Sequence, residues 1–135
     1  MRGTAKIAIF VLMALLVLAL LVVDEVPSRS VTHGRMSVTK RRILQYARQH
    51  DHLPENLSEL PPMPGYDTAI VDAWGQPLYY SCDLSGVVTL KSLGSDKCKG
   101  GVENARDMIG VFSSRDPEGH WQDEFIPWTH DPFEP

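Results

Sequence analysis

The sequence predicts an α+β fold: an N-terminal transmembrane helix and a stem helix packed on a small antiparallel sheet of about three strands. Three observations predict it. Residues 7–23 form an unbroken apolar run without Pro, Gly or charge. Met36 to Gln49 places apolar and cationic residues on two helical stripes. Further on, short alternating runs are separated by turn residues, as in strands that bury one face.

The seventeen residues of the apolar run make about 25 Å of helix, near the lower limit for crossing a bilayer core. Arg2 and Lys6 precede it, and Asp24 and Glu25 follow. Positive charge stays on the cytoplasmic side, so the remaining chain is expected to face outward. The run ends Leu-Leu-Val-Val-Asp-Glu-Val, which lacks a small-x-small cleavage site. An uncleaved single-pass anchor is therefore expected, with residues 1–25 as cytoplasmic tip and anchor. A net charge of −4 argues against nucleic acid as a partner.

Residues 26–112 are expected to form one small domain. Pro27 either kinks a long helix or separates the anchor from the domain, and Thr32 is the expected cap of the stem helix. Met36, Ile43, Leu44 and Ala47 supply the stem's apolar stripe. Lys40, Arg41 and Arg42 are read as a solvated face. His50-Asp51-His52 ends the helix as a polar loop, since a His-x-His pair lacks the further ligands a zinc site needs. Leu53 to Leu60 reads as a short helix stopped by Pro61-Pro62. Gln76 to Ser81 and Gly86 to Ser92 read as two strands joined near Asp83–Gly86, with Met108 to Phe112 as the third.

Between Asp72 and Asp107 several blocks recur in a telling order: Asp72-Ala73-Trp74-Gly75-Gln76-Pro77-Leu78-Tyr79-Tyr80, then Ser92-Leu93-Gly94-Ser95-Asp96, then Gly100-Gly101 and Asp107. In this order and spacing, roughly residues 36 to 110 resemble the C-terminal domain of the major pseudopilin (G-type) of type II secretion systems. The resemblance implies a pseudopilin-like domain and a structural role in a secretion or type IV pilus-like apparatus. It assigns Asp72, Trp74, Gly75, Gly94, Gly100 and Gly101 to the structural motif. Trp74 is expected to plug the core, with Gly75 taking unusual dihedrals behind it.

The resemblance also implies calcium in the loop between the second and third strands, with Asp96 and Asp107 at the matching positions. Calcium takes about six to eight oxygen ligands. Here Lys97 replaces the family's Gly, Ala105 replaces a carboxylate, and Lys99 and Arg106 add positive charge, so the implied site is weakened. The two cysteines offer a substitute, since an exported domain with two cysteines commonly pairs them. A Cys82–Cys98 disulfide would close a loop of about 15 residues, worth roughly 3 kcal/mol in the chain-entropy model. The alternative is two unrelated small buried residues.

The N-terminus departs from the family. Arg2-Gly3 before Thr4 imitates a prepilin leader, but the fifth residue from Thr4 is Ala8, where pilins carry Glu. Polymerisation is therefore not implied. Residues 113–135 exceed the family pattern and place Trp121, Phe125, Trp128 and Phe133 among six acidic residues. Such a tail either covers the protein's own sheet or docks in a partner's groove. No catalytic constellation is present, so an enzyme is not expected. The expectation is a bacterial inner-membrane protein with its C-terminal domain in the periplasm, working with pilin-like or secretion-apparatus proteins. The alternative is an anchored periplasmic binding module unrelated to filament assembly.

Overall fold

The computed structural model describes residues 2–21, 27–66, 68 and 70–135, with side chains in the first helix described over residues 6–17. The chain is α+β. Helix α1 spans Arg2–Leu21 and α2 spans Ser28–His50. Strands β1 (Tyr79–Cys82), β2 (Val87–Ser92) and β3 (Met108–Ser113) follow. They form one antiparallel sheet in the order β1-β2-β3.

The anchor expectation over residues 7–23 is only partly reproduced. Among the described residues no helix is long and apolar enough to cross a membrane. Residues 22 and 23 of the expected span lie outside those described. Within α1, Ile7 to Val17 expose their large apolar side chains on every face, Phe10 by 78% and Val17 by 50%.

Helix α2 begins eight residues earlier than the periodicity predicts. Pro27 is its N-cap residue, with φ −54° and ψ 134°. A proline there loses no helical hydrogen bond, because the first-turn N–H groups have no partner within the helix. Thr32 is thus not the cap. It lies inside α2, fully buried, and its hydroxyl donates to the Ser28 carbonyl (2.9 Å) while accepting from the Ala73 N–H (3.0 Å). At the other end Asp51 closes the helix in the left-handed region, φ 59°.

The core lies between α2 and one face of the sheet. Met36, Ile43, Leu44 and Tyr46 meet Val88 and Leu90 of β2 and Met108 and Phe112 of β3, with Leu57, Leu60 and Leu78 closing one side. The expected helix over 53–60 is reduced to a single 3-10 turn, Leu57–Glu59. Asn56 caps it by accepting from the Ser58 N–H (3.1 Å), and the prolines after Leu60 prevent continuation.

The Lys40-Arg41-Arg42 face is not solvated. Lys40 and Arg42 are buried, at 6% and 4% exposure. Arg42 donates to the carbonyls of Pro61 (3.0 Å), Thr68 (2.8 Å) and Leu60 (3.1 Å), which fixes the segment after the 3-10 turn onto α2. Lys40 donates to the Ile126 carbonyl, and burial, with Arg41 alongside, pushes its amine below the usual lysine range.

Candidate functional site

The motif blocks converge on the first half of α2. Four side chains there reach three separate parts of the chain. Arg29 donates to the carbonyls of Glu103 (3.0 Å) and Arg106 (2.8 Å). Thr32 and Arg35 hold the 72–76 turn, Arg35 donating to the Asp72 carbonyl at 2.7 Å. His33 meets the Asp131 carboxylate (3.1 Å) and stacks on Phe133, 4.4 Å between ring centres.

Asp72 is the centre of this arrangement. It is fully buried, and one carboxyl oxygen accepts from the N–H groups of Trp74 (3.0 Å) and Gln76 (2.9 Å). The other accepts from the Ser92 hydroxyl (2.8 Å), which itself accepts from the Gly94 N–H (3.2 Å). A single carboxyl therefore joins the tryptophan-containing turn to the end of β2 and the start of the 93–107 loop. Gly75 takes φ 79° in that turn, as expected. Trp74 differs from expectation: it is half-buried and outside the core cluster, and the turn uses its amide.

The 93–107 loop connects β2 to β3 and folds tightly on itself. A Cβ at Gly94 would stand 2.7 Å from the Asn104 carbonyl oxygen, and one at Gly101 would stand 2.5 Å from that of Ala105. Both glycines also hold positive φ, 76° and 101°. Gly100, with φ 81°, donates its N–H to Asp107 (3.1 Å). Gly101→Ala is expected to cost about 2 kcal/mol through the contact and the left-handed strain. Hydrogen exchange should show faster exchange at residues 95–106, with the β2–β3 ladder less affected.

Calcium fits these residues poorly. Asp107 is paired with Lys91 (3.3 Å), and Asp96 accepts from the Cys98 N–H (3.0 Å). Among the described residues no group of three or more His, Cys, Asp or Glu is placed to hold a metal ion. The loop is instead held by Arg29, the Lys91–Asp107 pair and its own main chain. His50 and His52 flank Tyr46, their ring centres 6.1 Å apart.

The expected Cys82–Cys98 disulfide is not formed; both thiols are free and exposed. The strand register supplies the reason. Cys82 opposes Val88 at the turn end of β2, whereas the 93–107 loop leaves from Ser92 and returns at Met108, its partner at the opposite end. The four residue steps from Val88 to Ser92 span about 13 Å, while a disulfide needs Cα atoms within about 7 Å.

The tail covers the protein itself. Trp128 packs edge-on against Phe112, 5.7 Å between ring centres, beneath the Lys40 amine at 4.7 Å. His130 forms an antiparallel bridge with Val111 on the open edge of β3, and Pro132 is fully buried. Burial pushes the Asp131 carboxyl up, but the Phe133 N–H, His33 and His130 outweigh it and hold the carboxyl below its ordinary value. A depressed carboxyl contributes stability that is present above its unfolded pKa and lost as pH falls through its folded one. The tail's end should therefore loosen below about pH 4. Tryptophan fluorescence across an acid titration is expected to show this step, and Asp131→Asn to diminish it.

Comparison with known proteins finds no matching family model, no similar curated protein and no similar solved structure. Sequence reasoning missed Arg29, His33 and Arg35 at this junction. The available signal was the recurrence of Arg29, Thr32, Arg35, Thr39 and Arg42 at helical spacing, a polar stripe beside the apolar one.

Proposed function

We propose that this is a membrane-anchored, pseudopilin-like structural protein that works by interaction in a secretion or pilus-like apparatus of the inner membrane, with its domain in the periplasm. The observation that carries the reading is α1, which exposes large apolar side chains on every face from Ile7 to Val17. Apolar surface of that extent needs a bilayer or other helices to cover it. The apolar sequence continues to Val23, which supports a single span. Junction chemistry supports a structural role. Arg29, Arg35 and Arg42 donate to main-chain carbonyls, and Asp72 accepts from main-chain amides and a serine. These charged groups hold loops in place.

Resemblance in the order of the Asp72–Tyr80, Ser92–Asp96 and Gly100–Asp107 blocks supports the apparatus reading. Ala8, where pilins carry Glu, favours a second one: an anchored binding module that does not join a filament. Membrane partitioning tests the shared part. The full chain is expected in the membrane fraction and resistant to alkaline extraction. Leu12→Lys with Leu16→Lys should release it, since each cation near the centre of a span costs about 3 kcal/mol. Recovery of the unaltered chain in the alkaline supernatant would exclude both readings.

A further inference from the structure

The tail lies along α2 in an ordered, antiparallel course. Trp121 donates its indole N–H to Asp51 (2.8 Å), and Glu124 and Asp123 meet Arg48, the latter at 3.9 Å. Phe125 lies under Arg41, 5.0 Å from its guanidinium carbon, and the Ile126 carbonyl receives Lys40. Asp131 and Phe133 then reach His33. Contacts from residue 51 back to residue 33 cover about 27 Å of helix.

Gly110 provides the deepest seat along this course. A Cβ there would stand 2.6 Å from the Trp128 ring and 2.9 Å from Pro132. Any side chain at this point on β3 would displace both. Beside the seat, Val111 gives its N–H to His130 (3.0 Å) and accepts from the Thr129 N–H (2.8 Å), which fixes the direction of the bound segment. Cations on α2, an unencumbered glycine on β3 and a free strand edge together make a groove matched to an acidic segment carrying Trp and Pro. The segment is tethered through an exposed turn at residues 117–120, closed by the Gly119 N–H to Asp116 carbonyl bond (3.0 Å).

We propose that the α2–β3 groove is a peptide-recognition groove that holds residues 121–134 of its own chain when isolated and the same segment of a second copy when copies are crowded. Exchange needs only the 117–120 turn to open, because the contacts made in trans repeat those made in cis. A short tether holds the cis segment at an effective concentration of about millimolar, so exchange requires local densities of that order. Copies packed side by side in an assembly would meet this condition. The inference does not depend on how α1 is used.

Two full-length variants in mild detergent test it. Gly110→Val fills the seat and leaves its own tail unseated; Trp128→Ala leaves the groove vacant. Mixed, they are expected to form a hetero-pair at least about tenfold above the level in either variant alone, read by native mass spectrometry. An equal level in all three samples, with both variants retaining wild-type circular dichroism, overturns the proposal. Should either variant fail to fold, the wild-type chain titrated with a synthetic 119–135 peptide to several millimolar decides. Displacement of the Gly110 and Val111 amide resonances supports exchange, and no displacement overturns it.

Discussion

Replacing Asp72 with Ala is expected to destabilise the domain by about 3 kcal/mol, among the largest effects of any single polar substitution in this chain. The carboxyl is fully buried and accepts from Trp74 N–H, Gln76 N–H and the Ser92 hydroxyl. Alanine leaves those donors facing a cavity, and an unsatisfied buried donor costs about 1–3 kcal/mol. Asn retains one acceptor oxygen, so it should recover part of the loss by serving the Trp74 and Gln76 amides. Its NH₂ group would face the Ser92 hydroxyl, which can turn to accept. Ser92→Ala removes one bond and should cost about 1 kcal/mol. The urea midpoints of the three variants are therefore expected in the order Ser92→Ala, Asp72→Asn, Asp72→Ala, from highest to lowest. An Asp72→Ala midpoint equal to wild type would remove Asp72 from the centre of the junction.

Arg42→Ala is the second large effect, also about 3 kcal/mol. The side chain is 4% exposed and donates to three carbonyls, those of Leu60, Pro61 and Thr68. Burial lowers its pKa from the ordinary arginine value. Removing the side chain leaves three main-chain acceptors without a partner and frees the segment after the 3-10 turn from α2. Arg42→Lys should restore little. One ammonium cannot reproduce the fork that spans carbonyls 60, 61 and 68. The same urea titration checks it, with proteolytic nicking between residues 61 and 70 as a local readout. A Lys variant as stable as wild type would show that charge alone suffices there.

Residue patterns made the sheet legible. Val88, Leu90 and Ser92 alternate with Val87, Thr89 and Lys91, and the buried set faces α2 as the alternation requires. The start of α2 was hidden because Ser28 to Arg35 has little apolar periodicity. That part of the helix is held by Arg29, Thr32 and Arg35 reaching distant backbone, contacts that local propensity does not encode. The expected cysteine pairing rested on an exported domain carrying two cysteines, whereas both thiols are free in the structure. That expectation ignores that β2 carries the chain to the opposite end of the sheet. The cations of α2 misled for a related reason. A Lys-Arg-Arg run is usually solvated, but here one cation reaches loop carbonyls and the other two lie against the tail, Lys40 meeting Ile126 86 residues away in sequence.

The choice of tryptophan turned on the same non-local packing. Trp74 stands in the motif, yet Phe112 occupies the core and Trp128 closes it from the tail. Nothing near Gly110 in sequence announces that it seats Trp128 and Pro132. The blocks around Asp72, Ser92 and Gly94 were legible as a set, and the structure joins them through a single carboxyl.

The most direct test of the proposed role is photo-crosslinking in the membranes of cells that make the protein. A photoreactive residue replaces Val102, which is 77% exposed in the 93–107 loop, and adducts are identified by mass spectrometry. Adducts with pilin-like or secretion-apparatus proteins are expected, and these disappear when detergent dissolves the membrane. Adducts confined to unrelated envelope components, or unchanged after the membrane is dissolved, would contradict the proposed role.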